Sequence, residues 1–161
     1  MSSEKAKIYI YSGKVHSGKT TKIMKWAKLQ KSIDGIFAPV IDSKRYLVRI
    51  KSGESHLLEA DENKKEKNII EIGNYKFAKN IFEWAQNELL DAFESNPNWL
   101  IIDEIGFLEL NSDGLEPAVS KIINLFNTNQ SNLILIIRDN LVEQVIENYK
   151  LNLSDYTDLI I

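Results

Sequence analysis

The sequence predicts an α/β fold, a three-layer sandwich in which a mainly parallel sheet carries helices on both faces and a β-hairpin excursion. Apolar segments of strand length alternate along the chain with segments of helical periodicity. Residues 99–102 and 133–137 are uninterrupted apolar runs, which are typical of strands buried on both faces of a parallel sheet. Two alternating segments, residues 46–51 and 55–58, flank a Ser-Gly turn and predict the hairpin.

The composition is that of one folded domain. The chain has 161 residues, 43% hydrophobic and 27% charged, so we expect a single domain over residues 1–161 with a full core. A net charge of -3 argues against a large basic surface for nucleic acid. The lack of cysteine excludes a disulfide scaffold and a thiol nucleophile. Since no apolar leader or bilayer-length apolar run is present, we expect a cytoplasmic protein with no membrane partner.

A glycine-containing motif lies between the first predicted strand and the first predicted helix. Residues 7–12 alternate apolar and β-favouring side chains, and apolar residues at helical spacing predict a helix that runs to about residue 31. Residues 13–20 between them fit the phosphate-binding pattern G-x-x-x-x-G-K-[ST] in full. A loop of backbone N–H groups at a helix N-terminus can meet the negative charges of a triphosphate. The expected nucleotide-binding residues are Gly13, Lys14, Val15, His16, Ser17, Gly18, Lys19, Thr20 and Thr21.

Two side chains of this loop have expected roles in holding the triphosphate of a nucleotide such as ATP or GTP. Lys19 would reach the β and γ phosphates as a point charge. The Thr20 hydroxyl would be a ligand of the Mg²⁺ that bridges them. The pattern therefore predicts a nucleoside triphosphate and Mg²⁺ as the bound partners.

The segments after the first helix predict a β-rich excursion. Residues 35–40 predict a short strand with Pro39 at its edge or end, where a missing N–H is tolerated. Residues 61–68 are almost wholly polar or charged and predict an exposed loop. Residues 69–72 can resume a strand, and residues 73–74 predict a turn after it.

The second half of the chain returns to alternating helices and strands. Apolar spacing predicts a helix of about four turns from Ala78 to just before Ser95. Similar spacing predicts helices over residues 115–126 and 141–149, and residues 157–161 can add a last strand. This alternation predicts right-handed crossovers that distribute the helices over both faces of the sheet.

Charged residues follow the two uninterrupted apolar strands at the edge where α/β sheets bind their ligands. Asp103 is expected to hold the Mg²⁺, directly or through water. Glu104 could accept a proton from the water that attacks the γ-phosphorus, or orient that water. Arg138 follows residue 137, where its guanidinium could neutralise charge on the γ-phosphate or form a structural pair with Asp139 or another acid.

Residues 103–110 carry a family resemblance. Their sequence DEIGFLEL, placed after the phosphate loop, resembles the Asp-Glu-Ile-Gly-x-x-Glu-Leu signature of the THEP1-like nucleoside-triphosphatases, a small P-loop family. Residues 35–40 are similar to the family's Gly-Phe-x-x-Pro segment and residues 73–75 to its Gly-x-Tyr, so the resemblance covers about residues 7–150. It implies a P-loop NTPase fold and a cytoplasmic enzyme that uses Mg²⁺ to hydrolyse ATP, GTP and other nucleoside triphosphates with loose base selectivity.

The resemblance also implies roles for single residues. Gly13, Gly18, Lys19 and Thr20 match the family's phosphate loop, and Asp103 and Glu104 its metal-binding and water-activating acids. Gly106 and Glu109 match the signature, for which we expect a structural part. Many such loops have glycine where this chain has His16, so the backbone there must avoid a glycine-only conformation or the loop must differ locally.

Two alternatives remain open on the same fold. A small-molecule or nucleotide kinase normally needs several arginines to hold two phosphate groups, and this chain has only Arg45, Arg49 and Arg138. Arg45 and Arg49 could still serve a second substrate. A slow nucleotide-dependent switch that binds a partner is the other alternative, although a pure binding module does not need Glu104.

Overall fold

The computed structural model describes residues 5–14, 16–61 and 68–161. The predicted loop over residues 61–68 lies outside the described residues except for its two ends. The strands are β1 (Ile8–Gly13), β2 (Ile33–Phe37), β3 (Val40–Ile41), β4 (Lys44–Arg49), β5 (Ser55–Leu57), β6 (Ile69–Ile72), β7 (Tyr75–Ala78), β8 (Trp99–Ile105), β9 (Asn132–Arg138) and β10 (Tyr156–Asp158). The helices are α1 (Lys19–Ala27), α2 (Lys79–Glu94), α3 (Phe107–Leu110), α4 (Ala118–Leu125) and α5 (Val142–Asn148), with 3-10 turns at Phe126–Thr128 and Asp139–Leu141.

The main sheet has the strand order β10-β1-β9-β8-β2-β4-β3. Strand β5 also pairs with β4, at residues 46–48. The five strands from β10 to β2 are parallel to one another. Strands β3, β4 and β5 are antiparallel and form the predicted hairpin excursion, and β6 and β7 form a separate hairpin. The predicted α/β architecture with a mainly parallel sheet is confirmed.

Helices cover both faces of this sheet. Leu100 and Ile102 of β8 belong to the apolar cluster that includes side chains of α2, α4 and α5. Ile101 between them belongs to a second cluster, with Ile23 and Ala27 of α1. Neighbouring residues of β8 therefore pack on opposite faces, which explains why the strand is apolar without interruption.

Helix α1 is shorter than predicted. It ends at Ala27, and the amides of Leu29 and Gln30 close tighter turns onto the carbonyls of Trp26 and Ala27. The chain has to leave the helix there because β2 begins at Ile33, beside β8. Apolar periodicity does not report where the sheet requires the next strand to begin.

The strand predicted over residues 35–40 is also interrupted. Strand β2 ends at Phe37, and the next amide, that of Ala38, donates to the Asp103 side chain at 3.0 Å instead of to a neighbouring strand. Pro39 follows with no N–H to offer, and pairing resumes only with β3 at Val40. The pairing breaks off at the point where the backbone serves the Asp103 carboxylate.

Other boundaries differ at the element ends. The helix predicted from residue 115 begins at Ala118, after Pro117, which occupies the N-cap. The last strand is Tyr156–Asp158, and past the Leu159 amide, which bonds to Ile10, the chain leaves the sheet. Strand β7 and the short helix α3 have no counterpart in the prediction. In the described ranges no helix is long and apolar enough to cross a membrane.

An ion-pair cluster around the buried side chains of Arg49 and Asp34 connects β2, β4 and α2. The Arg49 guanidinium donates through Nε and Nη2 to Asp34 at 2.7 and 2.6 Å and through Nη1 to Glu88 at 2.6 Å, and Asp91 lies at 3.2 Å. Burial raises the pKa of Asp34, but hydrogen bonds from Arg49 and the Gly35 amide outweigh it, so that pKa lies below its ordinary value. Arg49 is therefore not available to the second substrate considered from the sequence.

Position 35, next to this cluster, requires glycine for a steric reason. Its φ is +129°, and a Cβ built there would lie 2.1 Å from the backbone oxygen of Ile101 on β8. A side chain at this position would force β2 and β8 apart.

Candidate active site

The phosphate loop joins β1 to the N-terminus of α1. His16 and Gly18 have φ angles of 59° and 79°, both in the left-handed region. For an L-residue this region costs about 1–2 kcal/mol, so His16 adopts it at a cost that glycine would not have. Within the loop, the Ser17 amide donates to the Lys14 carbonyl at 3.1 Å. Val15 lies outside the described residues.

Lys19 folds back over this loop. Its Nζ donates to the Gly13 carbonyl at 3.1 Å and to the Lys14 carbonyl at 2.8 Å. The ammonium group is therefore positioned above the loop by two neutral acceptors. A more strongly charged acceptor, such as a phosphate oxygen, can replace either of them.

Thr20 meets Asp103 across 83 positions of sequence. The Thr20 hydroxyl donates to Asp103 Oδ2 at 3.0 Å, although β9 lies between β1 and β8 in the sheet. The same oxygen accepts the Ala38 amide, and burial raises the pKa of Asp103 to about 6. The two sequence signatures therefore meet at the carboxyl edge although they belong to non-adjacent strands.

The residues around Asp103 fit a magnesium ion. The side chain is 1% exposed, and its Oδ1 has no hydrogen-bond partner among the described residues. Carboxylate and hydroxyl oxygens are the donors that Mg²⁺ prefers, and Mg²⁺ usually takes only one or two protein ligands besides phosphate oxygens and water. The described residues contain no group of three or more His, Cys, Asp and Glu side chains that could hold a metal alone. A metal here would therefore need phosphate oxygens as further ligands.

Glu104 is held by two arginines. Its Oε2 accepts Arg45 Nη1 at 2.7 Å, and its Oε1 accepts Arg138 Nε at 3.0 Å. Burial raises the pKa of Glu104, but the charges and hydrogen bonds of Arg45 and Arg138 outweigh burial and hold that pKa below its ordinary value. The pairing of β8 with β9 shifts register between Asp103 and Ile105, so Glu104 has no partner on β9 and its side chain is re-aimed.

A cavity of about 240 Å³ lies over the phosphate loop. Lys19, Thr20, Arg45 and Glu104 line it, together with His16. Other predicted loop residues on its wall are Ser17, Gly18 and Thr21. The cavity thus brings together an ammonium group, a hydroxyl, a guanidinium and a carboxylate, a set that can bind and act on a phosphate chain.

Arg138 does not line this cavity. It lines a neighbouring cavity of about 260 Å³ and pairs with Glu104, the second of the two roles considered for it, while Asp139 bonds to the Asn140 amide. In this arrangement Arg138 positions Glu104, and the guanidinium beside the phosphate loop belongs to Arg45.

Glu109 has a structural position. Its Oε2 accepts the Gly106 amide at 2.9 Å and its Oε1 the Leu115 amide at 3.1 Å, which fixes the turn after β8 and caps α3. Burial raises its pKa to about 7, and the neighbouring Glu116 adds to the effect. These contacts support the turn and α3, the kind of structural part that we expect for this residue of the signature.

Sequence reasoning did not assign two groups of the site. The Ala38 backbone N–H donates to Asp103, and a sequence pattern cannot predict this contact because every residue except proline has the same backbone amide. Arg45 lies 59 positions from Glu104, in a strand whose pairing partners were unknown. Its only sequence signal is its charge, directly before the alternating segment 46–51, from which it could be expected to serve a second substrate.

Comparisons with known proteins show the family and the fold of this chain. The family model described as NTPase matches residues 7–157. Among solved structures, THEP1 from the hyperthermophile Aquifex aeolicus has a similar fold, with a TM-score of 0.71 and 22% identity over 94% of this chain and 88% of that one. No curated protein matches the chain. Because the family match spans nearly the whole sequence, the chain belongs to the NTPase family, as its resemblance to the THEP1-like nucleoside-triphosphatases predicted.

Proposed function

We propose that this chain uses Mg²⁺ to hydrolyse nucleoside triphosphates, ATP and GTP among them, to the diphosphate and phosphate. We further propose that residues 1–161 act as one domain and work in the cytoplasm, a location with which the lack of cysteine is compatible. The observation that carries the proposal is the 3.0 Å contact between Thr20 of the phosphate loop and Asp103. It joins a phosphate-binding motif to a buried carboxylate with a free oxygen.

In this proposal the loop and Lys19 hold the phosphates. Gly18, Lys19 and Thr20 at the start of α1 line the loop cavity, and the N-terminus of a helix offers backbone N–H groups to an anion. Lys19 would exchange its carbonyl acceptors for oxygens of the β and γ phosphates, which carry full negative charge. Base selectivity would be loose because the assigned contacts are to phosphate.

Thr20 and Asp103 would hold the Mg²⁺. When bound, the ion would neutralise phosphate charge and favour the in-line arrangement of the attacking and leaving oxygens. Asp103 Oδ1 has no partner in the part of the chain that the structure describes, which supports this assignment, since a buried carboxylate oxygen without a partner is costly.

Glu104 would orient the attacking water and accept its proton. As the water oxygen bonds to the γ-phosphorus, the bond from that phosphorus to the bridging oxygen breaks and the diphosphate leaves. The arginines that now hold Glu104 make it a weak base. A γ-phosphate would compete for the Arg45 guanidinium, which lines the loop cavity, and would leave one Glu104 oxygen free for water.

Phosphate release from a panel of nucleoside triphosphates, with and without Mg²⁺, tests the proposal. We expect Lys19→Ala and Glu104→Gln each to lower release by about 100-fold or more, since each removes a group that acts on the transferred phosphoryl group. Lys25→Ala on α1 and Glu147→Gln on α5 are matched controls with exposed side chains, and both should keep native activity. Unchanged release in Glu104→Gln would remove Glu104 as the water-activating residue.

The two ion pairs of Glu104, with Arg45 and Arg138, favour one alternative function, the slow nucleotide-dependent switch. Because both of its oxygens are bonded to guanidinium groups, the carboxylate is restrained. Tight, Mg²⁺-dependent triphosphate binding with negligible release would support the switch. Transfer to an added alcohol or nucleotide acceptor, without release to water, would support a kinase.

A further inference from the structure

The second cavity, of about 260 Å³, adjoins the loop cavity. It shares His16, Ala38, Arg45 and Glu104 with the loop cavity, but Lys19 and Thr20 do not line it. Its volume lies just below the typical range of about 300–1,000 Å³ for ligand sites, so its occupant is small.

Its inner wall is apolar and aromatic. The Tyr75 and Phe77 rings are stacked with centroids 5.8 Å apart, and Phe82 meets Phe77 edge-on at 6.1 Å. At the rim, Tyr75 and Phe107 are 55% and 47% exposed. Large apolar side chains kept exposed around a concavity are typical of a ligand site.

Apart from Asp103 Oδ1, which the proposed function assigns to Mg²⁺, the polar groups that can still form bonds in this cavity are hydrogen-bond donors. Arg138 uses only Nε for Glu104, and its two Nη groups have no hydrogen-bond partner among the described residues. The Arg45 side chain bonds through Nη1 alone, to Glu104 and to the Ala38 carbonyl. Its Nε and Nη2 have no hydrogen-bond partner among the described residues.

The carboxyl groups on the wall are already bonded or buried. Glu104 is shared by the two arginines, and both oxygens of Glu109 accept backbone amides. Asp103 Oδ2 is bonded to Thr20, and its buried Oδ1 is the oxygen that the proposed function assigns to Mg²⁺. Planar guanidinium donors match the oxygens of a carboxylate or phosphate.

We propose that this cavity is a second binding site, for a small molecule with an aromatic or branched apolar body and one anionic head. The body packs against Tyr75, Phe77 and Phe107, and the head takes the free Nη groups of Arg138. The site adjoins the triphosphate site, with which it shares Arg45 and the two acids Asp103 and Glu104, but its walls include none of the described loop residues except His16.

Calorimetric titration of the full chain with 2-naphthoate and with its neutral isostere 2-naphthamide tests this site. We expect naphthoate to bind about tenfold or more tightly than naphthamide, because only the carboxylate forms charge-assisted bonds. Arg138→Gln should remove this preference. Tyr75→Ala and Phe107→Ala, at exposed positions where folding is least affected, should weaken both ligands by about tenfold or less.

Two further variants separate this proposal from triphosphate hydrolysis. Leu153→Ala, at an exposed apolar position that does not line the cavity, should leave naphthoate binding unchanged. Lys19→Ala should lose triphosphate binding yet keep naphthoate binding. Equal affinity for the two ligands, no binding at millimolar concentration, insensitivity to both aromatic substitutions, or loss of naphthoate in Lys19→Ala would overturn the second site.

Discussion

Two arginines four positions apart on β4 form clusters with opposite charge balance. Arg49 faces three carboxylates, of Asp34, Glu88 and Asp91. At the other end of the strand, Arg45 shares a single carboxylate, that of Glu104, with Arg138. In the first cluster the guanidinium is 6% exposed and its donors are taken, whereas in the second both guanidinium groups line cavities and keep nitrogens that have no hydrogen-bond partner among the described residues.

The difference shows how one residue type serves stability or binding. Around Arg49 the acids outnumber the guanidinium group, which is buried. That cluster connects β2, β4 and α2, and its guanidinium has no donor left for a ligand. Where guanidinium groups outnumber the acid, the cluster attracts a further anion. The number of partners and the degree of burial, and not the residue type, separate the two roles.

Removing the stabilising arginine should have the largest effect. We expect Arg49→Met to lower the free energy of unfolding by about 3–5 kcal/mol, because Asp34 would be left charged and buried without its partner. Urea denaturation measures the change, and Lys51→Met, at an exposed position next to the cluster, is the control. A loss as small as that of the control would mean that Arg49 is not the partner that stabilises Asp34.

A buried acid without a cation should respond to pH in the opposite sense from Asp34. The pKa of Glu109 is raised to about 7 from 4.5, so between these values the unfolded chain loses a proton that the folded chain keeps. Stability from this group is fully present below pH 4.5 and falls as the pH rises towards 7, by up to about 3 kcal/mol.

The Glu109→Gln variant isolates this contribution. Unfolding free energies measured at several pH values between 4.5 and 7 should fall less steeply in the variant than in the native chain. Parallel pH profiles would show that the Glu109 carboxylate titrates as in the unfolded chain. The paired Asp34, whose pKa is lowered, instead loses stability only as the pH falls below its ordinary range.

In the cluster of Arg45, Glu104 and Arg138, substitution of Arg138 shows whether this residue positions Glu104 or binds the nucleotide. We expect Arg138→Gln to lower kcat for phosphate release by up to about 100-fold with little change in KM, because Arg138 orients Glu104 but does not line the loop cavity. Arg138→Lys keeps the charge and should recover part of the rate. Faster release in Arg138→Gln would mean instead that the arginine holds Glu104 in an inactive position.

Substitution of Arg45 should have the smallest effect, a small change in the free energy of unfolding. Since Glu104 keeps Arg138 as an ion-pair partner, no buried charge is left alone, and we expect Arg45→Gln to change the free energy of unfolding by less than about 1 kcal/mol. Urea denaturation beside Arg49→Met measures both arginines of β4 on one scale. Equal losses would erase the distinction between a stabilising and a binding cluster.

Much of the fold was predictable because its signals are local. The buried strands containing residues 99–102 and 133–137 follow from uninterrupted apolar runs, and α2 follows from its apolar spacing. The boundaries that failed, at the end of α1 and at Pro39, were decided by where neighbouring strands begin and by Ala38 serving Asp103. No periodicity within either segment records those neighbours.

The sequence by itself determined the phosphate loop, the buried acid of Asp103 and the family, because a motif needs only the residues within it. The tertiary structure alone decided the partners of those groups. Strand order inserts β9 between β1 and β8, places Arg45 and Arg138 on either side of Glu104, and sends Arg49 to Asp34. Hydrogen bonds and ion pairs act through space over a few ångströms, so residues 59 or 83 positions apart become partners only once the sheet has formed.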